Sequence, residues 1–271
     1  MTRFAFILIT GLTCCAALAQ TTKVDWVTSV VLAEAPHVDP ARLVSAVQKR
    51  LTSADKFSGF EPGENLVLLR VADGTAMISL INAPIPNGEL QEACKYAWYW
   101  KAACDSVKDH KAHLLVMLMG TGLDKVGSAL LQTRIVAGVL EETNAIAAYW
   151  GVNLQPRAVF LKGSARVSRE SIPAILWVNY RLSREPSGKF SLSTRGLKDF
   201  GLMEIETRDA PIPGLDLFDL VLGTTRYLIS KGPVIRDGDT IGRSAKQTVR
   251  VRHAESHWNV GERVYRIDFG D

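Results

Sequence analysis

The sequence predicts an α+β fold, with a ferredoxin-like split βαβ arrangement in the N-terminal half and antiparallel hairpins and helices in the C-terminal half. Short β-branched apolar runs alternate with stretches of helical spacing in the first half. The dipeptide Asp73-Gly74 lies between two apolar runs, a pattern typical of a hairpin turn. The content of 47% hydrophobic and 22% charged residues is that of a folded globular protein.

The N-terminal half predicts the order strand, helix, strand, strand, helix, strand, which is the split βαβ pattern. Asp39 and Pro40 form a good N-cap and first helical position. Apolar residues at helical spacing then continue to about Leu51. The predicted strands are 27–33, 66–71, 77–81 and 113–119, and the predicted helices are 40–51 and 89–108.

The C-terminal half is less regular, but turn residues still mark where its helices and strands end. The turn at 186–188 joins two apolar runs, and Gly232-Pro233 ends an amphipathic stretch. The predicted helices are 123–142 and 215–230, and the predicted strands are 146–150, 174–181, 190–194, 247–253 and 263–269. We find no repeat and no linker, so residues 20–271 are predicted to form a single domain of two lobes, about 26–120 and 121–271.

The first 19 residues predict a signal peptide. Arg3 supplies the positive charge, an apolar run follows at 4–17, and a small-x-small motif at 17–19 would leave Gln20 as the first mature residue. No later stretch approaches the roughly 20 apolar residues that a spanning helix needs, so no membrane span is expected after cleavage. The predicted location is the periplasm or the extracellular medium. An uncleaved apolar start is the alternative.

The charge excludes one class of partner. The chain carries 32 basic and 28 acidic residues, a formal net charge of +4, and the basic residues are scattered. Nucleic-acid binding needs a basic stripe on one face, so no nucleic-acid partner is expected. No motif implies a cofactor, and none is predicted.

Two cysteines remain after the predicted cleavage, Cys94 and Cys104. On one continuous helix they would lie roughly 15 Å apart, which is beyond the reach of a disulfide. We therefore expect two buried thiols. An oxidising compartment leaves a bridge that breaks the helix as the alternative.

An aromatic cluster is the best candidate for a binding surface. Adjacent helical residues point about 100° apart, so the run at 96–100 spans too wide an arc to be wholly buried. Tryptophan and tyrosine also dominate interface hot spots. The candidate residues are Trp98, Trp100, Tyr149 and Trp150. Packing in the core is the alternative and more common use of such residues.

Histidines suggest a second, enzymatic interpretation. His253, Glu255 and His257 alternate, so an extended strand would point all three to one face, where they could bind a metal ion. His110 and His113 have the spacing of two ligands on one helical face. The alternatives are a solvated hairpin face and, for His110, a position at a helix end.

Several spaced motifs resemble a known bacterial family. They are Ala83-Pro84-Ile85-Pro86, Gly88-Glu89-Leu90, Trp100, His110-Lys111-Ala112-His113, Ala148-Tyr149-Trp150-Gly151, Thr194-Arg195-Gly196-Leu197, Phe200-Gly201-Leu202 and Asp237-Gly238-Asp239-Thr240-Ile241-Gly242. Together they are similar to the family catalogued as domain of unknown function 4261, over nearly all of the mature chain. The resemblance implies no catalytic residue. Arg195, inside one motif, joins the candidate binding residues.

These observations favour an exported, non-enzymatic binding or interaction protein of the cell envelope, with another protein as its expected partner. The alternative is a metal-dependent hydrolase that uses the histidines and Glu255. The sequence contains no Gly-x-Ser-x-Gly nucleophile motif, which also favours a binding protein over an enzyme.

Overall fold

The computed structural model describes residues 23–242 and 249–270. The predicted signal peptide at 1–19 and the predicted mature start at Gln20 lie outside these residues, as does the beginning of the predicted strand 247–253. None of the helices in the described ranges is long and apolar enough to cross a membrane.

A seven-stranded sheet occupies the first part of the chain, in the order β2-β3-β4-β5-β1-β6-β7. Every neighbouring pair in it is antiparallel. Its strands are β1 Val24–Leu32, β2 Gly59–Gly63, β3 Leu66–Val71, β4 Gly74–Ile81, β5 Ala112–Met119, β6 Ala145–Trp150 and β7 Asn153–Pro156. The first sheet therefore continues well past residue 120, where the sequence suggested a division between lobes.

A six-stranded sheet follows, in the order β11-β12-β13-β10-β9-β8. Its neighbours are antiparallel except for β10 and β13, which are parallel. Its strands are β8 Asn179–Arg184, β9 Phe190–Arg195, β10 Glu204–Ala210, β11 Thr240–Ile241, β12 Val249–Glu255 and β13 Arg263–Asp268. The predicted turn at 186–188 joins β8 to β9, as expected.

The α+β class is confirmed by these two sheets and the helices between them. The ferredoxin-like detail is not reproduced by the strand order. A split βαβ unit has two parallel strands, whereas β5 lies between β4 and β1 and runs antiparallel to both. The predicted strands of the N-terminal half occur in the predicted order, although β2 was not predicted and the helix predicted at 89–108 is divided into α2 and α3. Succession alone does not determine which strands become neighbours.

Helices cover the sheets and follow the predicted positions most closely where they are long. The helices are α1 Pro40–Gln48, α2 Glu89–Lys95, α3 Ala103–Val107, α4 Lys125–Glu142, α5 Arg157–Gly163, α6 Ala174–Trp177 and α7 Gly214–Lys231, with 3₁₀ turns at Ser53–Asp55 and Leu197–Phe200. The predicted strand at 174–181 is wrong in its first half. Residues Ala174–Trp177 form a helical turn before β8 begins.

Two apolar cores hold the molecule together. The larger core lies between the two sheets and includes α1, α4 and α7, with Leu131, Trp177 and Ile205 among its fully buried members. The smaller one lies on the other face of the first sheet, under α2 and α3. Gly138 of α4 lets α1 approach closely, because a Cβ atom there would stand 2.5 Å from the Cα of Val47.

The predicted helix 89–108 is broken, and this corrects the expectation for the cysteines. Helix α2 ends at Lys95, the chain turns back, and α3 begins at Ala103. Cys94 and Cys104 form a disulfide with their Cα atoms 5.0 Å apart. The separation of about 15 Å applied only to a continuous helix.

Candidate functional site

The disulfide closes a loop that carries the aromatic run, and we call residues 94–104 the aromatic segment. Trp98 is half-buried, and its Nε1–H donates a 2.8 Å hydrogen bond to the backbone carbonyl of Tyr180 in β8. Its ring also meets Phe218 of α7 edge-on, with centroids 5.2 Å apart. Trp98 thus binds the edge of the second sheet.

Tyr99 attaches the same segment to the first sheet. Its hydroxyl donates a 2.7 Å hydrogen bond to the carbonyl of Leu154 in β7, and burial raises the pKa of the phenol. Trp100 is half-buried and packs against the smaller core. The aromatic segment therefore joins the two sheets, and much of its aromatic surface is used inside the molecule.

The other predicted binding residues are not brought together with Trp98. Tyr149 is 9% exposed and lies in the smaller core, while Trp150 is 1% exposed and lies in the larger one. Arg195 is half-buried, and its Nη1 donates to the carbonyl of Thr194 at 2.7 Å. The five residues do not form one surface, since Tyr149 and Trp150 face opposite cores.

His110 and His113 both hold the loop before α2. The Nε2 atom of His110 accepts a 2.8 Å hydrogen bond from the backbone N–H of Ile85, and its Nδ1–H donates to Val107 at 2.7 Å. Nδ1 of His113 lies 2.9 Å from the carbonyl of Ala83, and burial lowers the pKa of this imidazole. With both ring nitrogens engaged, His110 has no lone pair left for a metal ion.

The residues of the second predicted metal set also have structural partners. Nε2 of His253 lies 3.0 Å from the carbonyl of Ile235. The backbone N–H of His257 donates a 2.8 Å hydrogen bond to the buried carboxylate of Glu206. Glu255 is exposed at the end of β12. Within 23–242 and 249–270, no group of three or more His, Cys, Asp and Glu side chains could hold a metal ion.

An open cleft of about 400 Å³ lies where β1 begins and β6 ends. We call it the β1 cleft. It is lined by Lys23, Val24, Asp25, Trp26, Val27, Leu123, Lys125, Ser128, Trp150, Gly151, Lys198 and Asp199. The start of α4 and the 3₁₀ turn Leu197–Phe200 form its other walls, so both halves of the chain contribute to it.

Apolar side chains are exposed around this cleft. Val24 is 45% exposed, Val27 42% and Leu123 39%. Beneath them Trp26 packs against Trp150, with ring centroids 5.3 Å apart. Trp150 Nε1 is buried and has no hydrogen-bond partner in the described part of the chain. Clustered exposed apolar groups of this kind mark binding sites more often than scattered ones do.

The charges of the β1 cleft are only partly compensated. Among the described residues, Lys23 and Lys125 form no ion pair, whereas Lys198 lies 3.1 Å from Glu262. Burial raises the pKa of the Asp199 carboxyl, while the nearby Lys125 acts to lower it. In the described part of the chain, the cleft therefore presents the ammonium groups of Lys23 and Lys125 beside an apolar floor.

The carboxylate of Asp25 is used within the fold. Its Oδ2 accepts hydrogen bonds from the backbone N–H of Thr121 at 3.0 Å and from the Thr121 hydroxyl at 2.9 Å. These bonds anchor the turn between β5 and α4. The glycine-rich turn at 120–122 thus has a donor already satisfied by protein, as expected for a structural turn.

Sequence reasoning found only Trp150 among the residues of the β1 cleft. Lys23, Lys125 and Lys198 are separated along the chain by many residues and belong to no motif. The sequence offered no signal for them, because the exposure of Val24 and Val27 at the start of β1 is known only from the structure.

The fold and this cleft define an α+β protein of two sheets connected through helices, with an open amphipathic cleft to which both halves of the chain contribute. The family model described as Domain of unknown function (DUF4261) matches residues 193–268, so the resemblance to this family is confirmed over that segment. The segment begins in β9 and ends in β13, and it contains Arg195, Lys198 and Asp199. No curated protein and no solved structure matches the chain.

Proposed function

We propose that this chain is an exported, non-enzymatic binding protein of the cell envelope, and that the β1 cleft is its ligand site. The observation that carries the proposal is the meeting, in one concave place, of exposed apolar side chains with two lysines, Lys23 and Lys125, that form no ion pair within residues 23–242 and 249–270. Clefts of about 300–1,000 Å³ lined by apolar groups and a few polar ones are the usual form of ligand sites.

The disulfide supports export. Disulfides persist in oxidising compartments such as the periplasm and are rare in the cytosol, where thiols are kept reduced. Cys94 and Cys104 are bonded, and Cys104 is exposed, so a reducing environment would have access to the bridge. The predicted signal peptide and the disulfide point to the same location.

A role in binding fits the polar side chains better than a role in catalysis. Catalytic groups need a reacting atom within hydrogen-bond reach of both a base and a stabilising donor. Here the buried Glu206 holds Ser256 and His257, and the buried Glu204 holds Thr194 and Gly196. The acidic groups best placed for chemistry are thus occupied by structural hydrogen bonds.

Export is tested by fractionating the native host and sequencing the N-terminus of the protein. We expect a periplasmic or secreted chain that begins at Gln20 and has no titratable thiol until it is reduced. A chain that retains Met1 and stays in the cytosol with free thiols would overturn this part of the proposal.

The ligand site is tested by immobilising the protein and comparing what it retains from an envelope extract, identified by mass spectrometry. Leu123→Asp places a charge on the apolar rim, and Leu215→Asp places the same charge at a 66% exposed site on α7, outside the cleft lining. We expect the Leu123 variant alone to lose the ligand. The assignment would be contradicted if both variants retained the ligand, or if both lost it.

A further inference from the structure

Strand β1 extends past the end of its neighbour β6. It pairs with β5 from Val24 onward, with a register shift between Val24 and Trp26, but its register with β6 starts only at Thr28, which lies opposite Trp150. Beyond Trp150 the chain turns at Gly151 and enters β7 on the other side of β6. Among the strands of the described ranges, Val24–Val27 therefore have a neighbour on one side only.

A strand segment with one free side can accept another strand. In an antiparallel sheet the backbone N–H and C=O groups of alternate residues point to opposite neighbours. Some of these groups of Val24–Val27 thus face the side where β6 has ended. Unpaired edges of this kind are templates for the addition of an extended chain.

The free side of this segment is the β1 cleft itself. All residues from Lys23 to Val27 line the cleft, and so does Gly151, where β6 stops. The cleft is therefore the continuation of the space that β6 occupies along the rest of β1. A four-residue strand in that space would be about 13 Å long.

We propose that the β1 cleft binds an extended peptide segment of a partner protein, which pairs with Val24–Val27 as an added strand. This inference rests on the proposed binding function and specifies its ligand. Such strand addition draws affinity from main-chain hydrogen bonds and specificity from pockets for alternate side chains. In the cleft, apolar side chains of the peptide contact Trp26 and Leu123, and acidic ones approach Lys23 and Lys125.

The charge of the site favours an acidic peptide. Three lysines and two aspartates line the cleft, but Lys198 lies 3.1 Å from Glu262, and Asp25 accepts two hydrogen bonds from Thr121. Lys23 and Lys125 form no ion pair within the described part of the chain, and Asp199 is the one acidic side chain of the lining left beside them. Lys125 also occupies the first position of an 18-residue helix, whose N-terminus adds a partial positive charge. Opposite charges across an interface mainly set the specificity and the rate of association.

The test uses isothermal titration of the exported chain with an acetylated and amidated hexapeptide of alternating valine and glutamate. In the second and third peptides, N-methyl groups on alternate residues remove the N–H donors of one edge of the strand, a different edge in each peptide. In the fourth peptide, lysine replaces glutamate. We expect binding of the first peptide and at least a tenfold loss on methylation of one edge only. The lysine peptide should bind at least threefold more weakly.

Protein variants locate the peptide in the space beyond β6. Gly151 has a φ of +58° and open space where a Cβ would lie, so Gly151→Asn keeps the turn and adds a side chain in the cleft. Gly261, with a φ of +76° and equally open surroundings, gives the matched control Gly261→Asn. We expect only the Gly151 variant to lose peptide binding.

The outcomes separate this inference from the proposed function. Equal binding of the methylated and unmethylated peptides would overturn strand addition. If no peptide binds while the extract ligand is still lost in the Leu123 variant, the cleft is a ligand site for another chemistry and only the peptide inference fails. If neither the peptides nor the extract component depends on the cleft, both fail.

Discussion

The aromatic segment and the β1 cleft are both rich in tryptophan, yet their polar groups are used in opposite ways. In the aromatic segment the indole N–H of Trp98 and the hydroxyl of Tyr99 donate to backbone carbonyls of the two sheets. In the β1 cleft, Trp150 Nε1 has no partner among the described residues, and Lys125 has no ion pair there.

The contrast shows that aromatic density does not by itself mark a binding surface. A buried polar atom that finds a partner within the fold lowers the free energy of the native state. The exposed ammonium groups of Lys23 and Lys125 contribute little to folding and are accessible to a ligand, whereas the unpaired Trp150 Nε1 is buried. The aromatic segment is therefore a structural connection between the two sheets, and we call it the joint. Substitutions in the joint should lower the stability of the fold, whereas substitutions in the β1 cleft should weaken binding.

The largest effect is expected for removal of the disulfide. Cys94→Ala with Cys104→Ala should lower the free energy of unfolding by about 3 kcal/mol, because the closed loop restricts the unfolded chain. Urea unfolding of the oxidised protein and the double variant measures this. A loss below about 1 kcal/mol would mean that the bridge is not what holds the joint.

Trp98→Ala should cost about 2 kcal/mol, less than a fully buried tryptophan because the ring is half-buried. Trp98→Phe keeps most of the ring contact with Phe218 but removes the donor to Tyr180, and it should cost about 1 kcal/mol. Urea midpoints report both. If Trp98→Ala left stability unchanged but abolished ligand binding, the assignment of joint and cleft would be reversed.

A pH effect on stability should appear at His113, which lies in β5 outside the lining of the β1 cleft. Its pKa in the folded protein is lowered from 6.5 by burial, so the unfolded chain binds the proton more tightly. Stability from this group is thus present above pH 6.5 and declines as the pH falls below it. His113→Gln, which does not titrate, should lose less stability between pH 7.5 and pH 5.5 than the native protein. Equal losses would show that His113 does not carry the effect.

The smallest change in stability is expected in the cleft. Lys125→Glu alters an exposed residue in the first turn of α4, where an acidic side chain is favourable, so the free energy of unfolding should stay within about 0.5 kcal/mol. Binding of the acidic peptide should nevertheless weaken at least threefold. A stable variant with unchanged binding would remove Lys125 from the site.

Local pattern predicted the long elements well. Helix α4 was predicted at 123–142 and lies at Lys125–Glu142, and α7 was predicted at 215–230 and lies at Gly214–Lys231. The strand at 174–181 failed in its first half, because a short apolar run fits a buried helical turn as well as a strand. The long helix at 89–108 failed because spacing does not reveal a turn closed by a disulfide.

The candidate site was predictable only in part. Trp150 was predicted as a binding residue, and it does line the β1 cleft. It was chosen because tryptophan is common in interfaces, and its position in the fold played no part in that choice. Trp98 and Tyr99 stood out equally and proved to be joint residues. Whether an indole N–H finds a hydrogen-bond partner depends on what lies opposite its ring, and the residues opposite come from distant parts of the chain.

The sequence by itself determined the α+β class, the order of most elements and the family resemblance, since these depend on periodicity, turn residues and motifs along the chain. Only the tertiary structure decided the strand order, the disulfide and the cleft. Those features depend on long-range pairing. Thr28 lies opposite Trp150, so β6 ends beside β1, and no other described strand pairs with that side of Val24–Val27. The hydrophobic pattern of one strand does not determine where the strand beside it ends.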